Sequence, residues 1–346
     1  ESARAAALSG DNIPAEVYDN LVAEVHKNLP AMHRYVELRK KLLGVDKLYM
    51  YDMYVPLIKL PEKTVSFEEG LDIMREALQP LGEEYLSKMN KGIEQGWIDV
   101  YENKGKTSGA YSFGCYDSYP YILLNYTDTL KDVFTIIHEM GHSMHSRYTR
   151  DEQPYIYGSH SIFTAEVAST VNESLLMQHL LRTEDEKEMR KYLLNMHLEE
   201  FRTTLFRQTM FAEFEDITHK AIENGETLTA EWMCQQYEDL NTQYYGPAVE
   251  KDDVIRYEWA RIPHFYNAFY VYKYATGYSA ATAISKKILA EGEPAAKDYI
   301  SFLKTGESDY PIELLKIAGV DMSSPEPVQQ AMETFNQLLD EFEALL

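Results

Sequence analysis

His138-Glu139-Met140-Gly141-His142 constrains this chain more than any other segment. Two imidazoles spaced i, i+4 share one face of a helix, about 6 Å apart along its axis, close enough to hold a single metal ion. Glu139 between them falls beside such an ion rather than on it, where a carboxylate can take a proton from water. Thr129-Leu130-Lys131-Asp132 reads as a capping box, and the apolar run Val133-Phe134-Thr135-Ile136-Ile137 follows it, so the sequence predicts a buried helix through the motif. Charged groups set into an apolar helix are costly unless a ligand or partner meets them, which favours a metal site over core histidines.

Composition removes several alternatives. A chain of 346 residues with 45% hydrophobic residues is an ordinary globular one with a large core. Its net charge of -23 repels nucleic acid and anionic membrane surfaces, so neither is an expected partner. The two cysteines, Cys115 and Cys234, do not make a disulfide scaffold, and reduced thiols in the cytoplasm are the expectation. No apolar stretch approaches the ~20 residues of a membrane span. The first residues, Glu-Ser-Ala-Arg, show neither a starting Met nor a signal-peptide pattern, which suggests a fragment or a processed product.

Helical patterns dominate, so the expected class is mostly α. Asn12 and Pro14 open an amphipathic stretch to Gly44 with a break at Pro30; Ser66-Phe67-Glu68-Glu69 opens another that ends before Pro80. Thr183-Glu184-Asp185-Glu186 reads as a further box leading a long helix to about Gly225, and helices are expected over 230–244, 264–290, 294–304 and 326–345. Strand signals occur at Leu48–Val55, Trp97–Tyr101, Gly109–Gly114 and Tyr121–Asn125, which predicts a small antiparallel sheet ahead of the motif helix. Without repeats or low-complexity linkers, one domain over 1–346 is expected: a β-region at about 48–125, metal-binding helices at about 130–182 and a helical region over 183–346.

A hydrolytic zinc takes three protein ligands and leaves one position for water. The third is expected at Glu166, in the apolar-periodic helix that Thr164 would cap, 24 residues after His142 and so far enough along for an antiparallel return. Glu173, seven residues further on the same face, is expected to orient a ligand histidine. His145 points away from the His138–His142 line and is read as packing or support. Ligand type favours zinc, one ion per chain, without excluding cobalt or manganese.

These blocks resemble a family. His138 to His145 and Phe163-Thr164-Ala165-Glu166-Val167-Ala168-Ser169, with Ile13-Pro14-Ala15-Glu16-Val17-Tyr18, Gly109-Ala110-Tyr111 and Arg261-Ile262-Pro263-His264-Phe265-Tyr266, are similar to the thimet-oligopeptidase-like zinc metallopeptidases, in particular the oligoendopeptidase F branch. The resemblance implies a helical zincin-type catalytic domain with its site at the bottom of a deep channel. It implies endopeptidase action on short oligopeptides, with hydrogen-bond donors to the developing oxyanion at His264, Tyr266 and Tyr270. Tyr270, Tyr274 and Tyr278 also share helical spacing and fit simple packing. The strand at Gly109, Ala110 and Tyr111 would pair with an extended substrate, or be an ordinary edge. Members of the family carry a further N-terminal helical region, so a missing N-terminal part of the same precursor is an expected partner. Two other readings fit the same motif: an HExxH metallocarboxypeptidase, and a non-catalytic peptide-binding fragment.

Overall fold

The computed structural model describes residues 2–59 and 64–346. They group into two compact units, one from Glu1–Lys59, Leu194–Thr276 and Ser323–Leu346, the other from Leu60–Leu193 and Gly277–Met322. The mostly helical expectation holds, with fourteen α-helices and a three-stranded sheet among the described residues. None of these helices is long and apolar enough to cross a membrane.

In the second unit, helix Leu130–Glu152 starts where its cap dictates. Thr129 N–H and Oγ–H donate to Asp132 Oδ2 at 3.0 and 2.7 Å, and Asp132 N–H returns a bond to Thr129 Oγ1 at 3.3 Å. Thr127 adds its own N–H and hydroxyl to the same carboxylate oxygen. Val133, Ile136, Ile137, Met140 and Met144 line its fully buried side. The expected box at Ser66 also forms, capping Phe67–Ala77 through Glu69. The box at Thr183 does not. Thr183 ends the preceding helix, its hydroxyl donating back to His179 O at 2.9 Å, and the next helix begins at Lys187.

The sheet corrects one expectation. Strands β1 (Ile98–Asp99), β2 (Tyr111–Phe113) and β3 (Tyr121–Leu123) lie in the order β1-β3-β2, with β3 antiparallel to β2 but parallel to β1, so the sheet is mixed. The turn-like segment after β1 does not close a hairpin. Lys106 reaches back to the carbonyls of Asp99 and Tyr101 at 3.1 and 2.7 Å, and β3 takes the place beside β1.

In the first unit the aromatic run Leu48–Val55 is not a strand. Asp52 accepts from Tyr49 N–H at 2.8 Å and closes a 3₁₀ turn over Met50–Tyr54, with a lone bridge left at Leu48. Buried Arg39 donates to the carbonyls of Asp52, Met53 and Val55 at 3.2, 3.1 and 2.7 Å. Local capping bonds outweigh β-propensity there. Asn12 sits at φ 50° rather than capping a helix, and the break expected at Pro30 falls at Asn28, between helices Ala15–Lys27 and Leu29–Leu43, with Pro30 in the first turn of the second. The helix expected from 264 begins only at Tyr272, after a 3₁₀ turn at Pro263–Tyr266 and a left-handed Phe269 at φ 58°.

Glu215, in helix Arg207–Glu223, is a buried acid pushed up to about 8 by desolvation, against one opposing hydrogen bond from Phe269 N–H. The folded chain keeps this proton to about pH 8, whereas the unfolded chain releases it near 4.5, so stability falls as pH rises through that window. Glu215→Gln should abolish that share of the decline, on the order of a few kcal/mol between about pH 5 and pH 8.5. Urea unfolding of both proteins at the two pH values measures it; identical declines would remove Glu215 as the cause.

Candidate metal centre

The two histidines of the motif helix meet the helix that follows it. Glu166 lies in the first turns of Ile162–Thr183, whose N-cap position is Ser161; Thr164, expected as the cap, stands inside the helix with its hydroxyl on Ser161 O at 3.2 Å. The two helices approach closely because residue 141 is glycine. A Cβ there would lie 2.6 Å from Ser169 Cα and 2.7 Å from Ala168 O, distances that backbone atoms do not tolerate. Asn172 adds a bond across the same contact, donating to Ile137 O at 3.2 Å.

Three donor atoms converge as a result. His138 Nε2 and His142 Nε2 are 3.2 Å apart, and Glu166 Oε2 lies 3.5 Å from the first and 3.4 Å from the second. Tetrahedral coordination at bond lengths of ~2.0–2.1 Å gives an edge of about 3.4 Å, so this triangle has the dimensions of one face of a zinc site. Among the described residues it is the one group of His, Cys, Asp or Glu side chains that could hold a metal ion.

The neighbouring groups orient these side chains and set the charge of the triangle into which an ion would come. His138 Nδ1 faces Glu173 Oε2 at 3.2 Å, which fixes the proton on Nδ1 and leaves the Nε2 lone pair for the triangle. Burial disfavours protonation of His138, but the hydrogen bond and charge of Glu173, with Glu166 and Glu139, push it up to about 9. Burial likewise favours neutral Glu166; His142 through hydrogen bond and charge, then His138 and the Ser169 hydroxyl, hold it down to about 2. Glu166 is therefore an anion at any physiological pH.

Glu139 is buried beside the triangle and not part of it. Desolvation raises its pKa, opposed by the charges of His138 and His142 and by the Ser112 backbone N–H, which donates to its carboxylate. Ser112 belongs to β2, and its hydroxyl lies 2.8 Å from Ser143 Oγ on the motif helix. Nothing in the sequence singles out Ser112, whereas Ser169 was available as a polar residue one turn from Glu166. His145 is buried, stacked on His160 at 4.2 Å and against Phe302, so it packs as expected.

A model of peptidase family M3 matches residues 1–334. The chain belongs to peptidase family M3. It is 55% identical over 346 residues to oligopeptidase PepF of Bacillus subtilis, covering all of this chain and 52% of that protein. An oligoendopeptidase F homolog of Lactococcus lactis subsp. lactis is 48% identical, with 57% of it covered. The solved structure of oligoendopeptidase-F from Enterococcus faecium superposes with a TM-score of 0.81 at 43% identity, over 100% of this chain and 55% of that one. The chain thus spans about half the length of the curated relatives it matches.

The other expected residues divide between the units. In this M3 chain β2 is an edge of the sheet, but it begins at Tyr111; Gly109 turns at φ 88° and its carbonyl accepts from Asn125 Nδ2 at 2.9 Å, so Gly109 and Ala110 lie ahead of the paired segment. In the first unit, His264 and Tyr270 stack with ring centroids 5.9 Å apart, and Tyr274 Oη lies 3.2 Å from Tyr270 Oη and 3.5 Å from His264 Nε2. Tyr274 therefore joins two of the residues implied by the resemblance, a grouping that its i+4 spacing from Tyr270 could have signalled. Tyr266 is 95% exposed and stands outside this cluster.

Gly141→Ala should force the two helices apart, lowering stability by about 1–3 kcal/mol and zinc affinity by about tenfold or more. Thermal melting and competitive zinc titration read the two effects; wild-type values in both would contradict the close-approach argument.

Proposed function

We propose that the chain is the catalytic part of a zinc endopeptidase that cleaves internal bonds of short oligopeptides. The observation that carries this reading is the His138/His142/Glu166 triangle with a buried carboxylate, Glu139, next to it but free of it. Relatives named for oligoendopeptidase activity support the substrate class.

His138, His142 and Glu166 would hold one zinc ion per chain. Zinc bound there would supply Lewis acidity toward a carbonyl oxygen and make nearby water more acidic. The remaining work falls to the chain itself. Glu139 takes the proton of the attacking water and passes it to the leaving amine. Burial suits it to this task, because a carboxylate whose pKa is raised above the ordinary value is a stronger base. The Ser112 amide holds the carboxylate in place. Glu173 keeps His138 in the tautomer that presents Nε2.

The edge of β2 at Tyr111–Phe113 offers backbone groups to an extended peptide, which is how a substrate would align beside Glu139. The donor roles implied by the resemblance for His264, Tyr266 and Tyr270 are part of this proposal, with the joined pair His264 and Tyr270 preferred over exposed Tyr266. Cysteines free of disulfides favour the cytoplasm.

Glu139→Gln should keep about one zinc per chain and lose at least about a thousandfold in kcat. The assay is a quenched fluorescent peptide blocked at both ends, read together with metal analysis. Ordinary turnover by the variant would remove Glu139 from the mechanism. Failure of the wild type on the blocked peptide, with cleavage of one bearing a free C-terminal carboxylate, would replace the endopeptidase by a carboxypeptidase.

A further inference from the structure

The strained turn before helix Tyr272–Glu291 has a holder. Phe269 adopts φ 58°, a left-handed conformation that an aromatic residue rarely takes and that costs about 1 kcal/mol or more. Its ring meets the edge of Tyr18, centroids 6.2 Å apart, and two further contacts come from one turn of helix Arg207–Glu223. Its amide N–H donates to Glu215 Oε1 at 3.0 Å, in a buried setting. Its ring packs on His219 at 4.7 Å, and His219 Nδ1 is itself fixed on Glu215 O at 2.7 Å. The side chain and the carbonyl of one residue thus grip both the backbone and the ring of Phe269.

The oxygens of Glu215 are used unequally. Oε1 meets Phe269, while Oε2 is buried without a hydrogen-bond partner. A buried carboxyl left half satisfied destabilises the fold, so its presence calls for a task that an apolar residue would not perform. The task is visible one residue further along. Phe269 is followed directly by Tyr270, which stacks on His264 and is joined to Tyr274. Relaxing φ at Phe269 to an ordinary negative value would swing the chain on either side of it and separate His264 from Tyr270 and Tyr274.

We propose that Glu215 is a positioning residue, whose side-chain carbonyl oxygen clamps the left-handed Phe269 amide and so fixes the turn that holds His264, Tyr270 and Tyr274 in one cluster. The inference rests on the donor roles proposed above for His264 and Tyr270. Glu215 touches none of the reacting atoms in this account; it acts through the turn.

The test compares Glu215→Leu, which fills the space without an acceptor, with Glu215→Gln, which retains one. Both are made in the zinc-loaded chain and assayed on the blocked fluorescent peptide, with site-resolved hydrogen exchange over residues 262–272. In the wild type the Phe269 amide should be protected although it lies outside any helix; rapid exchange there overturns the clamp without any variant. Glu215→Leu should speed exchange across this segment and lower kcat about 10- to 100-fold with KM little changed, and Glu215→Gln should restore both. Unchanged exchange in Glu215→Leu, or a Gln variant as impaired as Leu, overturns the proposal. Adding Glu215→Leu to His264→Ala/Tyr270→Phe should cost little more activity; a full additional loss would mean that Glu215 acts elsewhere. If His264→Ala/Tyr270→Phe alone turns over like the wild type, the donor roles fall, and the exchange comparison still decides the clamp.

Discussion

The approach of helix Ile162–Thr183 to helix Leu130–Glu152 at Gly141 is the contact on which the candidate site depends. The i, i+4 spacing brings His138 and His142 together by helix geometry alone, but Glu166 belongs to another segment and reaches them only if the backbones nearly touch. Gly141 permits this against Ala168 and Ser169, and the Asn172 bond to Ile137 O holds the register. An added methyl group at this one position would separate the carboxylate from the imidazoles while leaving all three candidate ligands in the sequence.

The electrostatics follow from that contact. Glu139, Glu166 and Glu173 surround two imidazoles within a chain of net charge -23. Three carboxylates so close are tolerable because each has a different partner: Glu166 the two Nε2 atoms, Glu173 the far side of His138, and Glu139 the Ser112 amide. A divalent cation in the triangle would relieve the remaining repulsion and replace the proton that His138 otherwise holds up to about pH 9. The same segregation leaves Glu139 outside the triangle, where the base role proposed for it requires it to be.

Most of this centre was legible in the sequence because its information is local. The HExxH spacing, the Thr129–Asp132 box and the periodic placing of Glu166 and Glu173 each depend on helix repeat alone. What escaped was set by tertiary contacts. The Ser112 amide reaches Glu139 because β2 packs on the motif helix, and an amide carries no sequence signature. β3 enters between β1 and β2, which strand patterns cannot foretell, and the Leu48–Val55 run yields to an Asp52 cap and to Arg39, a partner from the preceding helix. Phe269 is the extreme case: its left-handed turn meets Glu215 across 54 positions, a partner that no local pattern announces.

Zinc K-edge X-ray absorption on the stoichiometrically loaded chain, with Glu166→Gln as comparison, tests the centre most directly. The account predicts a first shell of two imidazole nitrogens and carboxylate oxygen at ~2.0–2.1 Å, with the oxygen contribution altered in the variant. A spectrum dominated by sulfur, or one that Glu166→Gln leaves unchanged, would contradict it.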